Sequence, residues 1–140
     1  MIICEDNELS EAAEFFAKIL KFPDTCVVAI SVYDKLDVAG YCMYHDEEII
    51  PYCIVAIQNC HRGNMLEVLA HELVHAKQYF LGELEDHNDH CMWKGERFED
   101  TCKVGSSEYF FQPWEIEAFG MQVGLLHLYN EREEDTHVLH

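Results

Sequence analysis

Basic residues are scarce in this chain: 9 Lys and Arg stand against 27 Asp and Glu, a formal net charge of −18 over 140 residues. So acidic a chain repels phosphate backbones and anionic lipid, which argues against nucleic acid and membrane surfaces as partners. No stretch rich in Pro, Gly or Ser, no internal repeat and no low-complexity tract interrupts it. One domain over 1–130, followed by a polar tail over 131–140, is the expected organisation. Apolar runs are no longer than a strand, far short of a membrane span. The opening residues Met1-Ile2-Ile3-Cys4-Glu5-Asp6 carry neither a basic nor a long apolar segment, so a secretory leader is not expected and a cytoplasmic setting is. The seven cysteines are odd in number and include no Cys-x-x-Cys pair, which speaks for reduced, buried thiols over a disulfide framework. What is present is apolar mass. With 49% hydrophobic and 12% aromatic residues, the chain can build a core without staples, and disorder over most of its length is excluded.

Helical spacing of Leu9, Ala12, Ala13, Phe16, Ile19 and Leu20 predicts a helix over 7–21, capped by Asp6 or Asn7 and ended by Pro23. Strands are expected over 26–33, 38–45 and 49–58, the last two joined as a hairpin through Asp46-Glu47-Glu48. Pro51 marks the third as an edge strand, because proline cannot donate to a ladder. Asn64 is placed to cap a helix running to Phe80 and closed by Gly82, with Leu66, Leu69, Leu73 and Phe80 toward the core. About thirty residues of weak periodicity follow, acidic and rich in histidine and aromatics, and read as a long functional loop. Pro113 opens a last helix that runs to about Asn130.

The second helix contains His71-Glu72-Leu73-Val74-His75. Residues four apart on a helix share a face, so His71 and His75 can converge on one tetrahedral zinc ion. Glu72, on the flank of that face, can reach a water held at the ion and take its proton. A catalytic site needs a third protein ligand. The extended metzincin pattern would require glycine at Gln78 and histidine at Leu81, which excludes it. The gluzincin pattern takes a glutamate from a later helix, and the last helix here begins Pro113-Trp114-Glu115-Ile116-Glu117-Ala118. Glu115 and Glu117 lie about 200° apart around a helix, so only one can face the metal. Glu117 shares its side with Gly120 and Gly124, small residues that would let two helices approach. It is therefore the expected ligand, with Glu115 the alternative or an orienting partner of a histidine.

Together, the His71–His75 block and Glu117-Ala118 resemble the minimal zincin, or gluzincin, metallopeptidase pattern of SprT-like and ImmA/IrrE-like proteins, and the 113–118 segment is similar to small phage-encoded metallopeptidase-like proteins. The resemblance spans 49–130 in plan. It implies an α+β minimal zincin fold: a sheet of three or more strands with an N-terminal helix, an HExxH helix and a glutamate helix. It also implies zinc held by His71, His75 and Glu117, Glu72 as general base, and peptide-bond hydrolysis, possible settings including the cytoplasm of a phage-infected host. Two departures are visible: there is no cysteine-pair zinc ribbon, and Met121 replaces the aspartate that follows the glutamate in thermolysin-like enzymes. The alternative is a zinc-binding accessory protein without protease activity; an acidic interaction protein is a third reading. Tyr109 is a candidate for stabilising an oxyanion. His87, His90 and Cys91 are read as a loop or lid ahead of a second metal site, and Cys91 and Cys102 carry no nucleophile assignment. A polypeptide, substrate or partner, is expected to lie along the 49–58 strand, with the acidic 83–89 stretch favouring basic side chains.

Overall fold

The computed structural model describes residues 1–46, 49–99 and 107–138, with side chains in the last stretch described over 108–132. Among the described residues the fold is mixed α and β, with four helices and two sheets. The chain runs β1 (Ile2–Cys4), α1 (Asn7–Leu20), β2 (Val27–Tyr33), β3 (Gly40–His45), β4 (Tyr52–Gln58), α2 (Arg62–Phe80), β5 (Leu84–Asp86), β6 (His90–Trp93), β7 (Glu96–Glu99), α3 (Ser107–Phe110) and α4 (Pro113–Val138).

The main sheet has the order β1-β2-β4-β3; β1, β2 and β4 are parallel and β3 is antiparallel to β4. The expected hairpin of β3 and β4 is present, His45 opposite Tyr52 and Gly40 opposite Ile57. Residues Glu47 and Glu48 of its connection lie outside the described residues. β4 is interior, which corrects the edge assignment based on Pro51. That proline precedes the first paired residue, Tyr52, and contributes only its carbonyl, which accepts from Val27 N at 3.2 Å. The edges of this sheet are β1 and β3.

Helix α1 forms where its pattern and cap agree. Asp6 Oδ1 accepts from Leu9 N at 3.0 Å, and Leu9, Ala12, Ala13, Phe16 and Leu20 are buried. They meet Val28, Ile30, Val55 and Ile57 of the sheet and Leu69, Leu73 and Val74 of α2 in one core. Helix α2 starts two residues before the expected Asn64 cap, and residues 69–76 are all buried. A helix covered on every side lies between layers: here the sheet and α1 on one flank, α4 on the other.

β3 crosses α2 at Gly40. A Cβ there would lie 2.5 Å from Val68 Cγ1 and 2.8 Å from Ala56 O, so only glycine lets the strand approach this closely. Gly40→Ala is expected to destabilise the fold by about 1–3 kcal/mol, read as a lowered midpoint in urea unfolding. An unchanged midpoint would show that strand and helix part without cost.

The stretch expected as a long loop contains a second, antiparallel sheet of order β5-β6-β7. Its hairpins are made by residues at positive φ: Asn88 (71°) in the first, Lys94 (48°) and Gly95 (86°) in the second. A two-residue connection with both centres at positive φ matches the twist of a hairpin. This sheet leans on the start of α4, Trp93 and Phe98 packing against Trp114 with ring centroids 6.3 and 5.5 Å away. β1 was also unanticipated, being three residues long. Helix α4 continues to Val138, well past Asn130, so the expected tail is helical over most of its length. The six described cysteines are free, and Cys102 lies outside the described residues. No described helix is long and apolar enough to cross a membrane.

Candidate metal centre

His71 and His75 point from α2 toward the first turn of α4, where Glu115 meets them both. Glu115 Oε1 lies 3.1 Å from His71 Nε2 and Oε2 lies 3.0 Å from His75 Nε2. One ligand atom from each of the three residues falls within 4.8 Å of the others, and the three are 8%, 8% and 4% exposed. Among the described residues no other group of three such side chains converges in this way.

Glu117, the ligand expected from sequence, is not part of this group. Its Oε1 accepts from Lys77 Nζ at 3.0 Å and from Gln78 Nε2 at 3.2 Å. Burial pushes its pKa up, but these two donors outweigh that and hold it below the usual carboxylate range. The reason lies in the phase of α4. The buried seam is Glu115, Ala118, Gln122, Leu125 and Tyr129, the three-four spacing of a helix face. Gly120 and Gly124 have nothing within 4 Å of where a Cβ would stand, so the glycine side is open surface and not the contact with α2.

Two glutamines to which the sequence pattern assigns no role set the imidazoles. Gln122 Oε1 accepts from His71 Nδ1 at 2.8 Å, while Gln122 Nε2 donates to Glu67 Oε1 at 3.2 Å. Gln78 is fully buried; its Oε1 accepts from His75 Nδ1 at 2.8 Å and its Nε2 donates to Trp114 O at 3.0 Å. The amide nitrogens are thus committed elsewhere, and each glutamine oxygen must take the Nδ1 proton. In the neutral rings the lone pairs then reside on Nε2. Two such lone pairs and a carboxylate facing one point require a cation among them, a proton or a metal. Two imidazoles and a carboxylate with tautomers fixed in this way match the donor set of a zinc site with a free position. With Glu115 facing the histidines, the position four residues on is Phe119 and not Met121, and no carboxylate stands there; Gln122 and Gln78 contact the two Nδ1 atoms instead. Gln122→Met, which keeps shape and removes the acceptor, is expected to weaken metal binding by about 10–100-fold in competition with a chromophoric chelator. Undiminished affinity would show that His71 needs no orienting group.

Glu72 is 8% exposed and makes no hydrogen bond to a described residue. Burial raises its pKa against the lowering influence of His75 and His71, which suits a base acting near neutrality. Glu115 is the opposite case: burial alone would raise it, but hydrogen bonds from His71 and His75 hold it at about 2. His75 is raised; burial opposes its charge, and the bond to Glu115 and the charges of Glu115 and Glu72 prevail. Tyr109 closes over the site from α3. Burial raises its pKa, as do the charges of Glu115 and Glu72, and its phenol hydrogen-bonds Glu115.

Beside the three ligands lies a cleft of about 500 Å³ lined by Val38, Gly40, Val68, Glu72, Tyr109 and Phe119 among others. His87 and His90, on the β5–β6 hairpin, stack with centroids 4.9 Å apart; His90 binds Asp89 at 2.6 Å and His87 faces Glu85 at 3.9 Å. His127 is a surface histidine paired with Glu131 at 3.2 Å. Compared with known proteins, the chain matches no family model, no curated protein sequence and no solved structure.

Proposed function

We propose that this chain is a zinc-dependent peptidase built on the minimal zincin plan, with His71, His75 and Glu115 as the residues that would hold the ion. The observation that carries the reading is the convergence of these three ligand atoms within 4.8 Å at the wall of a cleft that also contains Glu72. Imidazole and carboxylate donors in this number are the usual set for catalytic zinc. When bound, zinc supplies a Lewis acid that polarises a carbonyl and acidifies water.

The chain's own residues divide the remaining tasks. Glu72 has an elevated pKa and no hydrogen-bond partner among the described residues, so it is positioned to take a proton from the attacking water and pass it to the departing amine. The Tyr109 hydroxyl, in the same cleft, is a donor for the developing oxyanion. Gln78 and Gln122 hold the imidazoles in the ligating tautomer.

A polypeptide would pair with the open edge of β3. Ala39 O accepts from Gln58 N at 2.9 Å, so Ala39 faces the neighbouring strand. Alternation then turns the backbone groups of Gly40, Cys42 and Tyr44 outward, where an extended chain can add to the sheet. The net charge of −18 agrees with a protein partner over a nucleic acid.

The test is direct. Protein purified without chelator should contain about one zinc per chain, and the zinc-loaded form should cleave an unstructured peptide library in a manner abolished by a chelator and restored by zinc. Zinc retained without any cleavage would leave a metal-binding accessory protein; no zinc uptake near neutral pH would remove the reading altogether.

A further inference from the structure

Three cavities, of about 500, 340 and 590 Å³, line up along β3. The first and second share Val38, Gly40, Glu72 and Tyr109; the second and third share Cys42, Tyr79, Leu84 and Asp86. They therefore form one groove that follows the strand from Val38 to Asp46, with the candidate metal centre in its middle section. An extended chain of nine residues covers about 26 Å, which matches that run.

The two ends differ in chemistry. At the Val38–Gly40 end the walls are mainly apolar, with Val38, Val68, Phe110 and Phe119; the one carboxylate beyond the metal centre, Glu67, is held by Gln122 Nε2 at 3.2 Å. Apolar surface continues outward from there, Ile116 and Val123 standing one turn to either side of Phe119 and exposed at 55% and 66%. At the other end the walls carry Asp46, Glu85 and Asp86, and no Lys or Arg among the described residues. Between them, the buried carboxylate of Glu72 faces the groove without a hydrogen-bond partner among the described residues.

We infer that the groove selects polypeptide segments with a large apolar side chain beside the bond at the metal centre and a basic side chain several residues away on the other flank. The apolar residue removes Val38, Val68 and Phe119 from water. The basic residue meets Asp46, Glu85 and Asp86, a charge match that also penalises acidic sequences. The placement follows from the strand: the centre lies opposite Gly40 to Cys42, and Asp46 is about 13 Å further along. This inference rests on the peptidase reading for its central site, but it concerns selection and can be measured by binding alone.

The experiment uses zinc-loaded Glu72→Gln protein and fluorescent unstructured peptides. One set carries Phe and Lys four residues apart, in both sequence orders; matched sets replace Lys by Glu or Phe by Ser. The Phe–Lys peptide in one of the two orders should bind about tenfold or more tighter than either control. Reversing charge locally, with Asp46→Lys and Glu85→Lys together, should abolish or invert the preference for Lys over Glu. Reversing the same charge at a distance, with Glu14→Lys on α1 and Asp24→Lys in the connection from α1 to β2, both exposed and neither lining the groove, should leave it intact, which separates the groove from the general acidity of the chain. Equal binding of Lys and Glu peptides, or a Lys preference that survives the local reversal, overturns the inference. Cleavage by the wild-type protein without this selectivity would overturn it while leaving the peptidase reading standing; selective binding without any cleavage would do the reverse.

Discussion

Glu115→Gln is expected to lower zinc affinity by orders of magnitude, whereas Glu117→Gln should change it by less than about tenfold. A lost carboxylate ligand removes a charged donor from the ion, while partners beyond the ligands typically contribute about 10–100-fold, and Glu117 is one contact further away, touching Gln78, which in turn touches His75. Glutamine keeps the shape of Glu115, so unfolding midpoints of the metal-free proteins can confirm that the fold is retained. Affinity in the native protein should rise with pH. Glu115 stays ionised down to about 2, so the proton that competes with the metal sits on the histidines, and His75 releases its proton later than an ordinary imidazole because Glu115 holds it. Chelator competition at several pH values checks both statements. Retention of zinc by Glu115→Gln together with its loss from Glu117→Gln would return the ligand role to Glu117.

The second large effect concerns Glu72. Glu72→Gln should keep zinc and stability but reduce peptide hydrolysis by about 10²–10⁴-fold, the usual contribution of a positioned base. The side chain is 8% exposed and has no hydrogen-bond partner among the described residues, so the neutral isostere disturbs no network. It also relieves the cost of a buried charge, and the variant should unfold no earlier than the parent. Hydrolysis that survives this change undiminished would move the base elsewhere in the cleft.

The main helices, the hairpin and the two histidines are legible in the sequence. The α1 helix followed from Leu9, Ala12, Ala13 and Phe16 at helical spacing behind an Asp6 cap, and the β3–β4 hairpin from its two apolar runs. His71 and His75 converge because four residues make about one helical turn. The misreadings have identifiable causes. Pro51 falls inside the apolar run 49–58 but stands just before the first paired residue, so its missing donor says nothing about an edge. Gly120 and Gly124 suggest a close helix contact by their size, but Ala118, Leu125 and Tyr129 trace the buried face of α4, and that face extends back to Glu115. The β5–β7 sheet was hidden because its strands are three or four residues long and mix carboxylates with aromatics. Lys94-Gly95 was its one local signal, a pair suited to a tight hairpin. Gln78 and Gln122 gave no signal at all, since a glutamine oxygen becomes an orienting group only when the tertiary fold brings it to an imidazole.

Glu115 is 44 residues beyond His71, and the small sheet lies between them. An ion held by both would therefore be a covalent-like clasp around a closed loop, restricting the freedom of the unfolded chain as a disulfide does, with a benefit that grows only as the logarithm of loop length. Unlike a disulfide it can be withdrawn by a chelator. Amide exchange at the start of α4 and across the β5–β7 meander would then depend on metal supply, while exchange in the β2–β4 core would not. The metal centre and the fastening of the second sheet would be a single object, and the protein's resistance to proteolysis would report how much metal its surroundings make available.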